Sequence, residues 1–470
     1  MPFPNTVTDS ARAALAGVRH VPYWLDRPDR PEPRAPLTDT IEADLVVIGG
    51  GFSGLWTAYL ARMRFPEWHV VLLEGDRMAE GATGRNGGFV AASLTHGIFN
   101  GLSRWPTDMP ELTRQGQENL DAIDDTLRAE GIECDFVRTG EMHVAVEPYQ
   151  VPHLQDEVEQ ARQLGVELEY VDGPRARSLV DSPTYLGGVL DRRAVAMTDP
   201  ARLAWGLAAA CDRRGVVIHE GSRVRHMTRD GAAMQLETDL GSVRAARVAL
   251  ATSAYPPLLR RIGQYVVPVY DSVLMTEPLS EEQRRSIGWT DRVGLADSGN
   301  QFHYYRITDD GRILWGGYDA SYYGDFDPRH ESHPEPFLRL VEHFRYTFPQ
   351  LTDVGFTHAW AGAIDTCSRF SAFWGTAYGG LVAYSVGFTG LGVGASRFGA
   401  QVMLDLLAGE DTERTRLEMV RTKPLPFPPE PIRSIGIRWT RRAIDSADRH
   451  EGRRNLWLRT LDRIGLGFDS

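Results

Sequence analysis

Ala43-Asp44-Leu45-Val46-Val47-Ile48-Gly49-Gly50-Gly51-Phe52-Ser53-Gly54 is the stretch that decides the fold. Its first six residues are a mostly apolar run of the kind that forms a parallel strand buried on both faces. Gly49, Gly51 and Gly54 then stand at GxGxxG spacing and open a helical pattern through Trp56, Ala58 and Tyr59. A second apolar run, His69 to Leu73, ends at Glu74, twenty residues past the last glycine. Strand, glycine turn, helix, strand and acid follow the order of a dinucleotide-binding unit, and each part has a physical reason. Gly49 allows the tight turn, Gly51 lets a pyrophosphate approach the backbone, and Gly54 lets helix and strand pack closely. The pyrophosphate is stabilised at the positive end of the helix, beside Phe52 and Ser53. The Glu74 carboxylate accepts hydrogen bonds from the adenosine ribose hydroxyls.

Composition sets outer limits. A chain of 470 residues predicts two or three domains, and 42% hydrophobic with 24% charged residues is ordinary for a globular protein. The net charge of −12 argues against a nucleic-acid partner, which needs a basic field. Cys134, Cys211 and Cys367 form neither metal-ligand spacing nor a disulfide framework, so no metal is expected and a reducing cytoplasm is. The start Met1-Pro2-Phe3-Pro4-Asn5 lacks the charged and apolar regions of a signal peptide. No apolar stretch approaches the roughly 20 residues of a membrane helix, so no transmembrane segment is expected. Of the 51 cationic side chains, 50 are arginine and Lys423 is the single lysine. No catalytic lysine is therefore available outside the C-terminal tail.

Along the chain, Pro28, Pro31, Pro33 and Pro36 mark an extended lead-in. A second glycine cluster, Gly81 to Gly88, follows the βαβ unit. Helices are predicted over Glu111–Gly131, Val151–Leu164, from Asp199-Pro200 to Gly215, and over about Ala395–Leu407. Strands are predicted over Phe136–Val146, Val216–Ile218, Val248–Thr252 and Leu381–Ser385, with a hairpin-like region around Val224. Phe302–Ile307 and Arg312–Gly316 read as a hairpin joined by Thr308-Asp309-Asp310-Gly311.

Together these pieces resemble the D-amino-acid oxidase superfamily of FAD-dependent amine and amino-acid oxidoreductases, nearest in character to gamma-glutamylputrescine oxidase. Four motifs carry the resemblance: Gly49 to Gly54 with Glu74; Gly84-Arg85-Asn86-Gly87-Gly88; Tyr304-Tyr305-Arg306 before Trp315-Gly316-Gly317; and Gly387-Phe388-Thr389-Gly390-Leu391-Gly392-Val393 before the last helix. The resemblance implies an α/β fold with a discontinuous Rossmann-like FAD-binding domain and a substrate domain on a large, mainly antiparallel sheet. It divides the chain into an N-terminal extension (1–40), the FAD-binding segments (41–110, 190–255 and 355–412), the substrate segments (111–189 and 256–354) and a helical tail (413–470). In the family the second glycine cluster runs toward the flavin ring and the Val224 region flanks the adenine; Thr252, the last residue of the predicted strand Val248–Thr252, is a further cofactor-binding candidate. The last glycine motif sets a helix N-terminus near the flavin pyrimidine, where N–H donors stabilise negative charge.

Some relatives attach FAD to a cysteine near the strand that here reads Arg312-Ile313-Leu314-Trp315. No cysteine stands there, so non-covalent FAD is expected. Others place a lysine beside the flavin to promote reaction with oxygen, and Lys423 is poorly placed for that. Relatives often carry histidine where Leu391 stands, which implies a drier neighbourhood.

The catalytic candidates are Tyr305, Arg306, Trp360 and Asp365. A guanidinium inside an apolar hairpin needs a partner, and a substrate carboxylate is a good bidentate one; a protein acid is the alternative. Trp360 and Asp365 precede a loop that passes the flavin face by resemblance, although Trp360 also suits core packing. The tail's Trp439, Arg441, Arg442, Arg453 and Arg454 suit a packed helix with a solvated outside, or contact with lipid or a partner. The activity implied is hydride removal from a carbon next to nitrogen in a small amine or amino acid. The imine is then hydrolysed, and electrons pass to oxygen, giving hydrogen peroxide, or to another acceptor. An NAD(P)H-dependent flavin hydroxylase and a non-catalytic flavin-bearing partner are the alternatives. A folate-coupled demethylase is disfavoured, since the sequence shows no added transferase domain.

Overall fold

Five short apolar segments form the parallel heart of one sheet. In the computed structural model, which describes residues 3–463 and 465–466, Thr40–Ile48 lies between Ser242–Leu250 and Val70–Leu73, parallel to both. Val382–Val386 and Val217–His219 extend it in parallel on the two sides, and Phe373–Ala377 adds an antiparallel edge. Leu45, Val46 and Val47 are fully buried, as a strand covered on both faces requires. One face is covered by the helices Phe52–Arg64, Pro200–Arg213 and Gly392–Ala408. The hairpin around Val224 proves to be His226–Asp230 with Ala233–Glu237, which pairs onto Ser242–Leu250.

A second sheet of eight strands runs in the order Phe356–Thr366, Val267–Thr276, Ile313–Gly317, His303–Ile307, Gly294–Asp297, Glu141–Ala145, Gly187–Asp191, Glu169–Asp172. Every neighbouring pair is antiparallel except Gly294–Asp297 with Glu141–Ala145. The architecture is thus α/β, a Rossmann-like layer beside a large, mainly antiparallel sheet. Alternation sorts the side chains of this sheet. Tyr305 and Trp315 pack toward the helix Pro334–Thr347, in a core with Phe344 and Phe348. Tyr304 points to the opposite face, toward Phe89 and the first domain.

Counted by sheet membership, the chain crosses back to the parallel sheet after Thr366 rather than at residue 355, because Phe356–Thr366 is an edge strand of the antiparallel sheet. The tail contains the helices Ile432–Arg449 and Leu456–Arg463. It is tied down by Arg441, which donates to Asp319 at 2.6 Å, and by Asp448, which accepts from Asn300 Nδ2 at 2.6 Å. Positions 1–2, 464 and 467–470 of the expected extension and tail lie outside the described residues.

Candidate functional site

Gly49 and Gly54 stand where backbone crowding demands them, and a Cβ on Gly51 would meet the Thr83 hydroxyl at 2.8 Å. Gly49 has φ +114°, and a Cβ there would lie 2.5 Å from the Ala251 carbonyl. A Cβ on Gly54 would lie 1.8 Å from the Gly49 carbonyl, so helix and strand are in direct backbone contact. The helix Phe52–Arg64 begins at this turn with Gly51 as its N-cap. Thr83 Oγ1 accepts from Phe52 N at 3.0 Å, fastening the second glycine cluster to the helix start. Glu74 closes the turn, accepting from Gly50 N at 2.5 Å and Asp76 N at 2.8 Å. Burial raises its pKa above the ordinary carboxylate value while these N–H donors hold it down.

A cavity of about 2740 Å³ runs from this turn to the inner face of the antiparallel sheet. Gly49, Gly51, Phe52, Ser53 and Glu74 line its first part. Arg85, Asn86 and Gly87 follow, with Val224 and Thr252 on the flank. Thr389, Gly390, Leu391, Gly392 and Val393 line the far side, at the start of the helix Gly392–Ala408. Gly54, Gly84, Gly88 and Gly387 stand behind this wall and act through packing and backbone bonds; a Cβ on Gly88 would meet the Thr198 carbonyl at 2.2 Å. The residues present fit a dinucleotide: the buried Ser53 Oγ, in the first turn of the helix, has no partner among the described residues. An oxyanion at the helix start would supply one.

The four predicted catalytic residues separate. Asp365 lines the cavity, and its Oδ2 accepts from Gly387 N at 2.7 Å, so it positions the last glycine motif. Burial raises its pKa to about 6, against the lowering effect of the Gly387 and Phe388 N–H groups. Trp360 is core packing, its indole donating to the Arg85 carbonyl at 2.9 Å. Tyr305 points away from the cavity and shares hydrogen bonds with Tyr185 at 2.9 Å and Asp297 at 3.2 Å. Arg306 also stays outside the cavity. It is fully buried behind Gly88, donating to the Thr198 carbonyl at 2.7 Å and the Gly88 carbonyl at 3.3 Å. Asp135 lies 3.6 Å from its Nη2. The protein itself supplies the acid that the guanidinium requires, which removes the reason to assign it a substrate carboxylate.

The polar pair in the cavity is one that sequence reasoning missed. Tyr304 donates to Asp271 Oδ2 at 2.5 Å, and both side chains line the cavity wall. The Tyr304 ring packs against Gly87, where a Cβ would come within 2.8 Å of it, so the pair sits beside the second glycine cluster. Burial raises the Asp271 pKa to about 6, although the Tyr304 hydroxyl and backbone N–H donors favour its charged form. The available signal was the rule already applied to Arg306: Asp271 is the one charge in the strand Val267–Thr276.

The family described as "DAO: FAD dependent oxidoreductase" matches residues 44–406. The chain belongs to this family of FAD-dependent oxidoreductases. It is 31% identical over 406 residues to the gamma-glutamylputrescine oxidoreductase of Escherichia coli K12, covering 83% of this chain and 89% of that protein. It is 27% identical over 397 residues to a probable oxidoreductase, OrdL, of Haemophilus influenzae, with coverages of 83% and 88%. Among solved structures, glycine oxidase from Geobacillus kaustophilus superposes with a TM-score of 0.69 at 19% identity, covering 81% of this chain and 99% of that one. The family's cofactor is FAD, and the cradle described above is where these residues would hold it. Among the described residues no helix is long and apolar enough to cross a membrane.

Proposed function

We propose that this family member oxidises a C–N bond in a small amine or amino acid, and that it recognises the substrate by its ammonium group. The observation that carries the reading is a single cavity joining the dinucleotide cradle to the Asp271–Tyr304 pair. Bound FAD would supply the two-electron acceptor for the hydride. Asp271 pairs with the incoming ammonium, and its raised pKa makes it a better proton acceptor than an exposed carboxylate. Loss of that proton leaves the neutral amine from which hydride can depart, with Tyr304 holding the carboxylate in place. Water then hydrolyses the imine to a carbonyl compound and ammonia or an amine. Oxygen or another carrier takes the electrons.

Arg306 is committed within the protein, so a substrate carboxylate is not required at that point. A relative 31% identical to this chain is named for gamma-glutamylputrescine, and that compound heads the candidates. FAD is held without a covalent bond in this reading. The deciding experiment is an anaerobic panel of amines and amino acids, following the visible flavin absorbance. Bleaching by an amine supports the proposal. Reduction by NADPH with no amine present would favour a hydroxylase instead, and a flavin that no amine bleaches would favour a non-catalytic partner.

A further inference from the structure

The family match ends at residue 406, and the tail beyond it holds a helix with two unlike faces. On the inner face of Ile432–Arg449, Ile437, Thr440 and Ile444 line the cavity, while Ala443 and Ala447 pack on Leu458 of the next helix. These contacts and the Asp319 and Asp448 bonds account for how the tail is held. They leave an outer face that the fold does not use. On it Ile435 is 43% exposed, Trp439 59% and Leu456 78%. Trp439 meets Trp457 edge to face at 6.2 Å. Trp457 turns inward, lining the cavity and donating to Thr440 Oγ1 at 3.0 Å, so Trp439 is the indole of the outward ridge with Ile435 and Leu456.

Exposed arginines flank this ridge. Arg438 donates to the Ser434 carbonyl of its own helix, and neither it nor Arg442 meets a carboxylate among the described residues. Residues 432–463 contain nine arginines against four acids, in a chain whose net charge is −12. A local cationic surface carrying an exposed tryptophan and aliphatic residues is matched by an anionic lipid interface. Indoles settle at the headgroup level there, and arginines meet lipid phosphates. A symmetric second copy fits worse, because a two-fold contact would set this cationic patch against itself.

We propose that the outer face of the two tail helices docks the protein on an anionic membrane surface, without spanning it. The test is co-sedimentation of the full-length, FAD-loaded protein with phosphatidylcholine vesicles, either pure or with one third phosphatidylglycerol. Binding is expected to the anionic vesicles alone, to weaken as salt rises, and to blue-shift tryptophan emission. The double variant Arg438→Glu/Arg442→Glu should lower the partition at least roughly tenfold. Its flavin spectrum and far-ultraviolet circular dichroism should match the parent's, since both side chains are exposed. No binding to anionic vesicles at low salt would overturn the proposal, as would equal binding by the double variant. A dimer in light scattering that Trp439→Glu dissolves, with no vesicle binding by the parent, would assign the patch to a second copy instead.

Discussion

The Tyr304 hydroxyl donates to the Asp271 carboxylate at 2.5 Å on the inner face of the antiparallel sheet. The two residues belong to strands that are not neighbours, with Ile313–Gly317 between them. The bond can span that strand because Gly316 offers no side chain: a Cβ there would lie 2.7 Å from the Tyr304 ring. Sheet order, register and one glycine together put a carboxylate and a phenol at the same point of the cavity.

Asp271→Asn should lower kcat/KM for an amine about a hundredfold, the lower range for losing a general base. In the parent, kcat/KM should fall as pH drops through about 6, because protonated Asp271 can no longer pair with ammonium. The variant should lack that acidic limb. The stability effect has the opposite sense. The carboxyl is raised in the folded state from 3.8 to about 6, so its contribution to stability is full below 3.8 and is lost as pH rises through 6. The variant should therefore gain Tm relative to the parent at pH 8 more than at pH 5. A retained acidic limb in the kinetics would assign the titration elsewhere.

Glu74→Ala should weaken FAD retention by at least about tenfold, since charge-assisted hydrogen bonds are worth roughly 1.5–3 kcal/mol. Glu74 also accepts from Gly50 N and Asp76 N, so the turn loosens as well as losing a ribose partner. Glu74→Gln keeps the shape and should fall between. Equilibrium dialysis of the refilled apoproteins measures both. Equal retention by parent and Glu74→Ala would place the ribose elsewhere.

The first glycine turn was legible because its constraints are local: strand, φ, helix start and acid all lie between Ala43 and Glu74. The strand containing Tyr304, Tyr305 and Arg306 was legible as a strand, and alternation put Tyr305 on one face and its neighbours on the other. Which face meets the cavity depends on where Pro334–Thr347 packs, a contact between distant segments that spacing does not encode. Arg306 shares the parity of Tyr304 yet stops short of the cavity, because Gly88 and Thr198 close over it. Asp271 stayed hidden because its strand carries no motif and its partner comes from another strand.

Acid precipitation should release intact FAD into the supernatant, leaving a colourless pellet. Cys134 and Cys211 are buried and stand off the cavity, while Cys367 is its one cysteine among the described residues. The Cys367 thiol donates to the Ser371 carbonyl at 3.1 Å and lies 3.5 Å from the Gly387 carbonyl. Burial raises its pKa, which keeps it a poor nucleophile. Yellow colour remaining with the precipitated parent but not with Cys367→Ser would show attachment through this residue.

Arg306→Met should destabilise the fold by about 3 kcal/mol while leaving substrate recognition unchanged. Removing one member of a buried charged network typically costs about 3–5 kcal/mol. Here Asp135 keeps Arg292 as a partner, which places the expected loss at the low end. The Thr198 carbonyl loses its guanidinium donor, while the Gly88 carbonyl keeps the Thr198 N–H at 2.9 Å; a buried acceptor left unsatisfied costs about 1–3 kcal/mol. Urea unfolding of the FAD-loaded proteins measures the loss. Kinetics on pairs of substrates with and without a carboxylate then test the role: the ratio of their kcat/KM values should be the same in parent and variant, because the two changes remove separate interactions. A ratio that collapses in the variant would return Arg306 to the substrate and require the Gly88 segment to move aside on binding.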